Sequence, residues 1–352
     1  MYNVANYYDS VSLKLSDVLG DIGLNERLVL KRRKEMLLAE TIRTVPESVF
    51  SDHTLYMFGS LSEGTTTLGL LSDTDILLCN HMINLMQEYS EWKQGYLNLL
   101  MIKDVNSSPG YCLLQVIRPD QPLPSKDVTT KNYVKVDKEI VLFKNLLGTD
   151  GIDGRVMHGP AWTTQRPGLR DYDTVMSFKC NSWPKEARQW LQEDDNMHWP
   201  SREIKKFAQN SGCFVVSTAS RISQYKDLEW RISTSLAERS LMFSLNITQI
   251  RCYVLVKMVL KTYLNTQGES NLSSFMCKAV LMNCVKKTHP GFWVESNILT
   301  CFTYYLQRIL FSILHDHCPH FIIPENNLMA GQFPAQIKHI LLKKIEIHIA
   351  RY

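Results

Sequence analysis

A chain of 352 residues with 45% hydrophobic and 21% charged side chains has apolar surface for two packed lobes, and no compositionally disordered block stands out. A formal net charge of +4 permits nucleic-acid binding without demanding it. Nine scattered cysteines, an odd number with no C-x-x-C pair, argue against a disulfide framework and for a reducing compartment. The first ten residues are polar and lack a signal-peptide apolar stretch, so a cytoplasmic location without a membrane partner is expected.

The N-terminal part reads as helix. Leu28, Met36 and Leu37 recur at helical spacing, and Lys31, Arg32, Arg33 and Lys34 break out to a basic face. Val45-Pro46 should end this helix. Thr54 to Phe58 reads as a strand closed by Gly59-Ser60, and Thr74 to Cys79 as a second strand. Tyr111 to Ile117 and Thr174 to Phe178 are further strand candidates, separated by a helical stretch near Lys138 to Leu147. The mixture argues for an α/β or α+β lobe around one sheet.

After about residue 235 the period is helical: Leu241 to Lys261, Ser273 to Lys286, Ile298 to Leu314, and Gln332 to Ile349 behind Pro324. The expected domains are 1–235, a sheet core with its N-terminal helix, and 236–352, an all-helical lobe. Ile298 to Leu314 carries Thr300, Thr303, Gln307 and Arg308, so it reads as a buried core helix and not a membrane span. Asn246 and Asn271 open glycosylation sequons that read as chance without a secretory signal.

Chemistry concentrates in Phe58-Gly59-Ser60, Glu63-Gly64 and Ser72-Asp73-Thr74-Asp75-Ile76. Gly59 lets the backbone approach a phosphate, and Ser60 can donate a hydroxyl to it. Asp73 and Asp75, two apart in a strand, project from one face. Adjacent carboxylates repel unless a cation neutralises them, and oxygen ligands suit Mg²⁺ or Mn²⁺. Two such ions roughly 3.5–4 Å apart would activate an attacking hydroxyl and steady a leaving pyrophosphate. A lone D-x-D is often just a solvated strand end; the strand–Gly-Ser–strand–D-x-D order is more specific. A third carboxylate should come from a neighbouring strand. Asp171 and Asp173 both qualify, because alternation puts them on one face.

On these motifs, in order, the chain resembles the cyclic GMP-AMP synthase-like nucleotidyltransferases, the male-abnormal-twenty-one (Mab) family. The matching stretches are FGSLSEG, SDTDIL, HGPAWTT, DTVMSFKCNSWP, DLEWRISTS, VLVKMVLK, LSSFMCKAVL and FIIPENNL. The resemblance implies an α+β fold, a nucleotidyltransferase-type mixed sheet lobe flanked by helices, followed by a C-terminal all-helical lobe. It implies that Gly59 and Ser60 contact phosphate and that Asp73 and Asp75 hold the metal. Position before Trp183-Pro184 selects Asp173 over Asp171 as the third ligand. Arg231 matches a nucleotide-contacting arginine, Lys257 a triphosphate-contacting lysine, and Ser274 a phosphate-contacting serine. Phe275 stands where the family has a base-stacking tyrosine; it keeps the π face and loses the hydroxyl. Without the resemblance, Arg231 reads as a structural ion-pair residue, Lys257 as a solvated helix lysine and Phe275 as core.

The resemblance further implies a cyclic-dinucleotide synthase that uses ATP and/or GTP and acts as an innate immune sensor. Its activator would be double-stranded RNA or DNA, met by Arg27, Lys31, Arg32, Arg33 and Lys34. The zinc-binding insertion of the vertebrate cyclic GMP-AMP synthases is missing between Ser235 and Lys257, so no zinc is expected there. The crowded group His315, His317, Cys318 and His320 lacks a second pair at normal zinc spacing and reads as a helix C-terminus. The other expectation is a catalytically silent interaction or developmental protein on the same scaffold. Retention of Gly59-Ser60, Asp73 and Asp75 disfavours it. A template-independent polymerase extending RNA is a third possibility, which the helical lobe's resemblance argues against. Base choice, linkage and oligomeric state are not legible.

Overall fold

The computed structural model describes residues 4–349 apart from 68–71, 105, 138–139, 146–155, 159–160, 166–169, 194–197 and 265–271. Two helices, α1 (Val4–Asp21) and α2 (Glu26–Phe50), precede strand β1 (His53–Phe58) and the short helix α3 (Gly59–Glu63). There follow β2 (Thr74–Met86), β3 (Leu97–Ile102), β4 (Tyr111–Ile117), β5 (Tyr133–Asp137) and β6 (Ile140–Phe143). Next come β7 (Val156–His158), β8 (Ala161–Thr164), β9 (Tyr172–Cys180), α4 (Arg188–Gln192) and α5 (Arg202–Ser211). The last strands are β10 (Cys213–Val216) and β11 (Glu229–Ser233). Then α6 (Ser235–Phe243), α7 (Ile247–Val259), α8 (Ser274–Lys287), α9 (Ile298–Leu314) and α10 (Ala335–Ile349) complete the described strands and α-helices. The fold is α+β, a mixed sheet followed by helices.

β2 organises the sheet because it is long enough to serve several partners. It pairs antiparallel with β1, parallel with β9, and, near its end, parallel with β3. From β3 the pairings run through β4, β11 and β10 back to β9, so six strands close a circuit. β8 and β7 extend one side, and the β5–β6 hairpin joins through Gln115 and Leu142. Inward residues of this circuit form the main core with α7, α8 and α9. Trp190 and Trp230 are completely buried, and Trp230 lies 5.8 Å from Phe143 and 5.3 Å from Phe178. Truncating such a ring typically costs about 3–5 kcal/mol.

Three expected elements are corrected. α2 does not stop at Val45 but runs through Pro46 to Phe50. Proline removes one helical N–H there, in an exposed turn of the helix. The stretch near Lys138 to Leu147 is not helical: Ile140–Phe143 forms β6, whose β-branched and aromatic side chains are mostly buried in the core. Lys138, Glu139, Leu146 and Leu147 lie outside the described residues. Leu241 to Lys261 is not one helix, because α6 and α7 meet at 117°. Asn246 caps α7 in a capping box with Gln249, which starts a new helix. Its Nδ2 donates to Trp293 O, so this sequon nitrogen is engaged; Asn271 lies outside the described residues.

α9 occupies Ile298–Leu314 and buries most of one face. No single helix among the described residues is long and apolar enough to cross a membrane. All nine cysteines are buried and free. α1 packs on α7, α9 and the turn at 295–297, where Ser16 Oγ donates to Glu295 O at 3.3 Å. Although it comes first in sequence, α1 thus packs on the C-terminal helices.

Candidate functional site

Where β1 runs out, the chain turns sharply at Gly59, whose φ is 73°. A Cβ at this position would fall 1.7 Å from Asp75 Oδ2. Glycine is required twice here, by the left-handed backbone and by the carboxylate that crosses it. The register Phe58↔Asp75 brings the two together. α3 then makes one turn and ends at Gly64, again with φ 73°.

The parallel pairing of β2 and β9 sets Asp75 opposite Asp173 and Thr74 opposite Tyr172. Residues level with one another on neighbouring strands share a face, so Asp75 and Asp173 stand side by side. Asp171 lies one step outside, where its carbonyl accepts from Thr74 N at 3.0 Å. Burial pushes the Asp75 carboxyl up to about 6, and the neighbouring Asp173 charge pushes the same way. Burial also raises Asp73, helped by Asp173 and then Asp171. Asp173 therefore acts on both aspartates of the D-x-D, whereas Asp171 acts on Asp73.

These are hard oxygen donors carrying unneutralised charge, and their chemistry fits a divalent cation. A tight triad, however, is not formed. Among the described residues no three His, Cys, Asp or Glu side chains are gathered closely enough to hold an ion as they stand. Asp73 is exposed just before β2 begins, and Asp173 Oδ1 accepts from Thr163 Oγ1 at 2.6 Å. The structure thus presents an adjacent pair with Asp73 in electrostatic reach, where the motif suggested a ready-made set.

Opposite this edge stands a cationic wall built from helices. Lys257 on α7 donates to Ser60 Oγ at 2.7 Å and to Thr65 O at 3.3 Å, holding the Gly-Ser turn. Burial pushes the Lys257 ammonium down to about 8, against the pull of Glu63. Lys278 on α8 donates to Glu63 Oε1. Burial works against the Lys278 charge, but Glu63, Tyr253 and Glu238 outweigh it and hold it above the ordinary lysine range. Ser274 opens α8, and half-buried Phe275 follows, its ring 5.7 Å from that of His320. His320 Nδ1 accepts from the Ile322 and Ile323 amides, both at 3.1 Å. Its proton therefore belongs on Nε2, which faces Glu238 Oε1 at 3.4 Å.

Beside them lies a pocket of about 800 Å³, and neither Asp173 nor Lys257 is among the residues that line it. Gly59, Ser60, Asp73 and Asp75 line one side, and Arg231, Ser274 and Phe275 line others. Sequence reasoning placed none of Glu63, Lys278, Glu238 and His320 in the pocket, which they line too. Glu63 stood within the FGSLSEG stretch and Lys278 within LSSFMCKAVL. Nothing local marks them as a pair, since they are 215 positions apart.

The sequence profile of the Mab-21 protein nucleotidyltransferase domain matches residues 164–244. That of the Mab-21 protein HhH/H2TH-like domain matches residues 249–346. The chain belongs to the Mab-21 family. A Drosophila melanogaster protein named "Protein mab-21-like" is 22% identical over 171 residues, 46% of this chain and 45% of that protein. The match thus spans a little under half the length of this relative. Within the Mab-21 nucleotidyltransferase match lie Asp171, Asp173 and Arg231; the helical match holds Lys257, Ser274, Phe275 and Lys278.

The basic run of α2 divides on inspection. Arg33 is 5% exposed and donates to Glu63 O, Met242 O and Phe243 O at 2.9–3.0 Å. Arg32 donates to Gly23 O and Thr66 O. Arg33 is thus a buried tie between α2, α3 and α6, which removes it from the expected nucleic-acid face; Arg32 is committed in the same manner. Lys31 and Lys34 are exposed, and Lys31 lies 3.7 Å from Glu35. With Arg27, also exposed, they recur at helical spacing along one side.

Proposed function

We propose that this Mab-21 protein is a divalent-cation-dependent nucleotidyltransferase acting on ATP and/or GTP, with a cyclic dinucleotide as product. The observation that carries this is the juxtaposition of Asp75 and Asp173, on adjacent parallel strands, with the Gly59-Ser60 turn at the rim of the pocket. Ser60 and Lys257, already in contact, would receive the triphosphate, Lys257 supplying charge and Ser60 a hydroxyl donor. Arg231 and Phe275 would hold the nucleoside, Phe275 by stacking. A Mg²⁺ or Mn²⁺ ion held by Asp73, Asp75 and Asp173 would lower the charge barrier to attack of a ribose hydroxyl on an α-phosphate.

The test is incubation with labelled NTPs and Mg²⁺ or Mn²⁺, with and without double-stranded RNA and DNA. The parent should form product, and the double variant Asp73→Asn, Asp75→Asn should form none while remaining folded. Undiminished product from the folded double variant ends the catalytic reading. Asp173→Asn should cost far more activity than Asp171→Asn. Nucleic-acid activation, with a role in innate sensing, would run along Arg27, Lys31 and Lys34.

A second reading is favoured by one observation, the absence of a preassembled carboxylate triad among the described residues. On it, the pocket binds a nucleotide without turning it over, and the protein serves as an interaction module. Nucleotide-dependent thermal stabilisation with no product under any condition would select it.

A further inference from the structure

Glu63 ends α3, and its side chain is 5% exposed. Oε1 accepts from Lys278 Nζ, but Oε2 is buried with no hydrogen-bond partner among the described residues. A buried carboxylate oxygen without a donor is costly and rare. Trp190 Nε1 and Arg251 Nη1 are also without a hydrogen bond, but neither residue lines the pocket, whereas Glu63 does. Surrounding cations do not relieve it. Lys257 is directed to Ser60 and Thr65, and Arg33 Nε takes the backbone carbonyl of Glu63 instead of its carboxylate.

Paired with Lys278, the carboxylate acts as an acceptor only, so the missing partner is a donor. Phosphate oxygens are acceptors and would be repelled. Lys278 lies three positions after Phe275 on α8, hence on nearly the same helix face and about one turn away. Glu63, held by Lys278, therefore sits close to the ring proposed to stack the base.

We propose, on the nucleotide reading above, that Glu63 Oε2 accepts a hydrogen bond from the nucleoside part of the bound nucleotide. The donor is a ribose hydroxyl or an N–H of the base edge. Glu63 is then a substrate-discriminating residue, held in place by Lys278.

Equilibrium binding of ATP and GTP to the full chain, with Mg²⁺, tests this. The comparison ligands are their 2′-deoxy and 3′-deoxy forms, purine riboside triphosphate, which lacks the 6-amino group, and ITP, which lacks the 2-amino group. The parent should bind one analogue about tenfold more weakly than its natural counterpart, and that analogue names the donor. In Glu63→Gln the amide oxygen stays with Lys278 and the NH₂ group faces the ligand. This variant should bind the analogue and the natural nucleotide within about twofold of one another. Because the variant leaves Lys278 buried without its counter-charge, the double variant Glu63→Gln, Lys278→Met carries the same expectation if the single one unfolds. Discrimination kept by the variant, or none in the parent, overturns the proposal. So does loss of Mn²⁺ affinity in Glu63→Gln without nucleotide, measured by EPR, which would give Oε2 to a cation's water. A parent that binds no nucleotide defeats the functional reading itself.

Discussion

Asp75, on the sheet, and Lys257, on the helices, carry opposite charges, each disfavoured by burial. On the sheet wall, burial and Asp173 push Asp75 up to about 6. On the helical wall, burial pushes Lys257 down to about 8, with Lys278 acting in the same direction. Other charges at the pocket are matched: Arg239 meets Glu40 at 2.5 Å, and Lys278, on the helical side, meets Glu63. A structural ion pair neutralises itself, whereas Asp75 acts on Lys257 through its charge while Lys257 donates to Ser60 and Thr65. On the proposed function each is complementary to something that enters: the sheet to a cation, the helices to an anion. A cation–triphosphate complex supplies both.

The strongest test of this division strikes the turn that frames the sheet wall. Gly59→Ala forces a Cβ into Asp75 at a positive φ and should cost about 3 kcal/mol or more of stability. Urea denaturation within about 1 kcal/mol of the parent would show that the two loops are not locked together. Next comes the tie between α2, α3 and α6. Arg33→Met strips the donors from three carbonyls on α3 and α6 and should cost about 2–3 kcal/mol. Lys31→Met with Lys34→Met should stay within about 0.5 kcal/mol. Equal losses would return Arg33 to the solvent-facing set.

Smaller effects separate the walls by pH. The native state binds the Asp75 proton more tightly than the unfolded chain, so this group favours folding fully at low pH. That contribution fades as pH rises from about 4 through about 6. Asp75→Asn should therefore add about 1–2 kcal/mol at pH 7 and nothing below pH 4. Thermal melts showing the gain at pH 4 instead would reverse the assignment. Mg²⁺ should stabilise the parent and leave this variant unmoved. On the other wall, triphosphate affinity should fall severalfold as pH passes about 8 and Lys257 loses its proton. Lys257→Met should bind weakly with a flat profile over that range. A parent with an equally flat profile would remove Lys257 from the anion site.

Local order was legible wherever one pattern acted alone. β4 at Tyr111–Ile117 and α9 at Ile298–Leu314 keep the bounds that apolar content and period imply. Legibility failed where two signals competed. Ile140–Phe143 fits a helical period, but pairing with β5 makes it a strand. Pro46 was read as a stop, yet packing of α2 against β1 carries the helix past it. The basic run looked uniform because charge alone says nothing of direction; only burial sends Arg33 inward.

By itself the sequence determined the chemistry of the edge: a glycine at a strand end, a serine beside it and two aspartates at spacing two. Short-range sterics and period settle such features. Which carboxylate joins Asp75, which lysine holds Ser60, and that Glu63 meets Lys278 with one oxygen left over were decided by the tertiary structure. Those partners lie far apart along the chain, and closure of six strands around β2 brings them together. A neutral or costly charge is defined by its neighbours, and only folding supplies them.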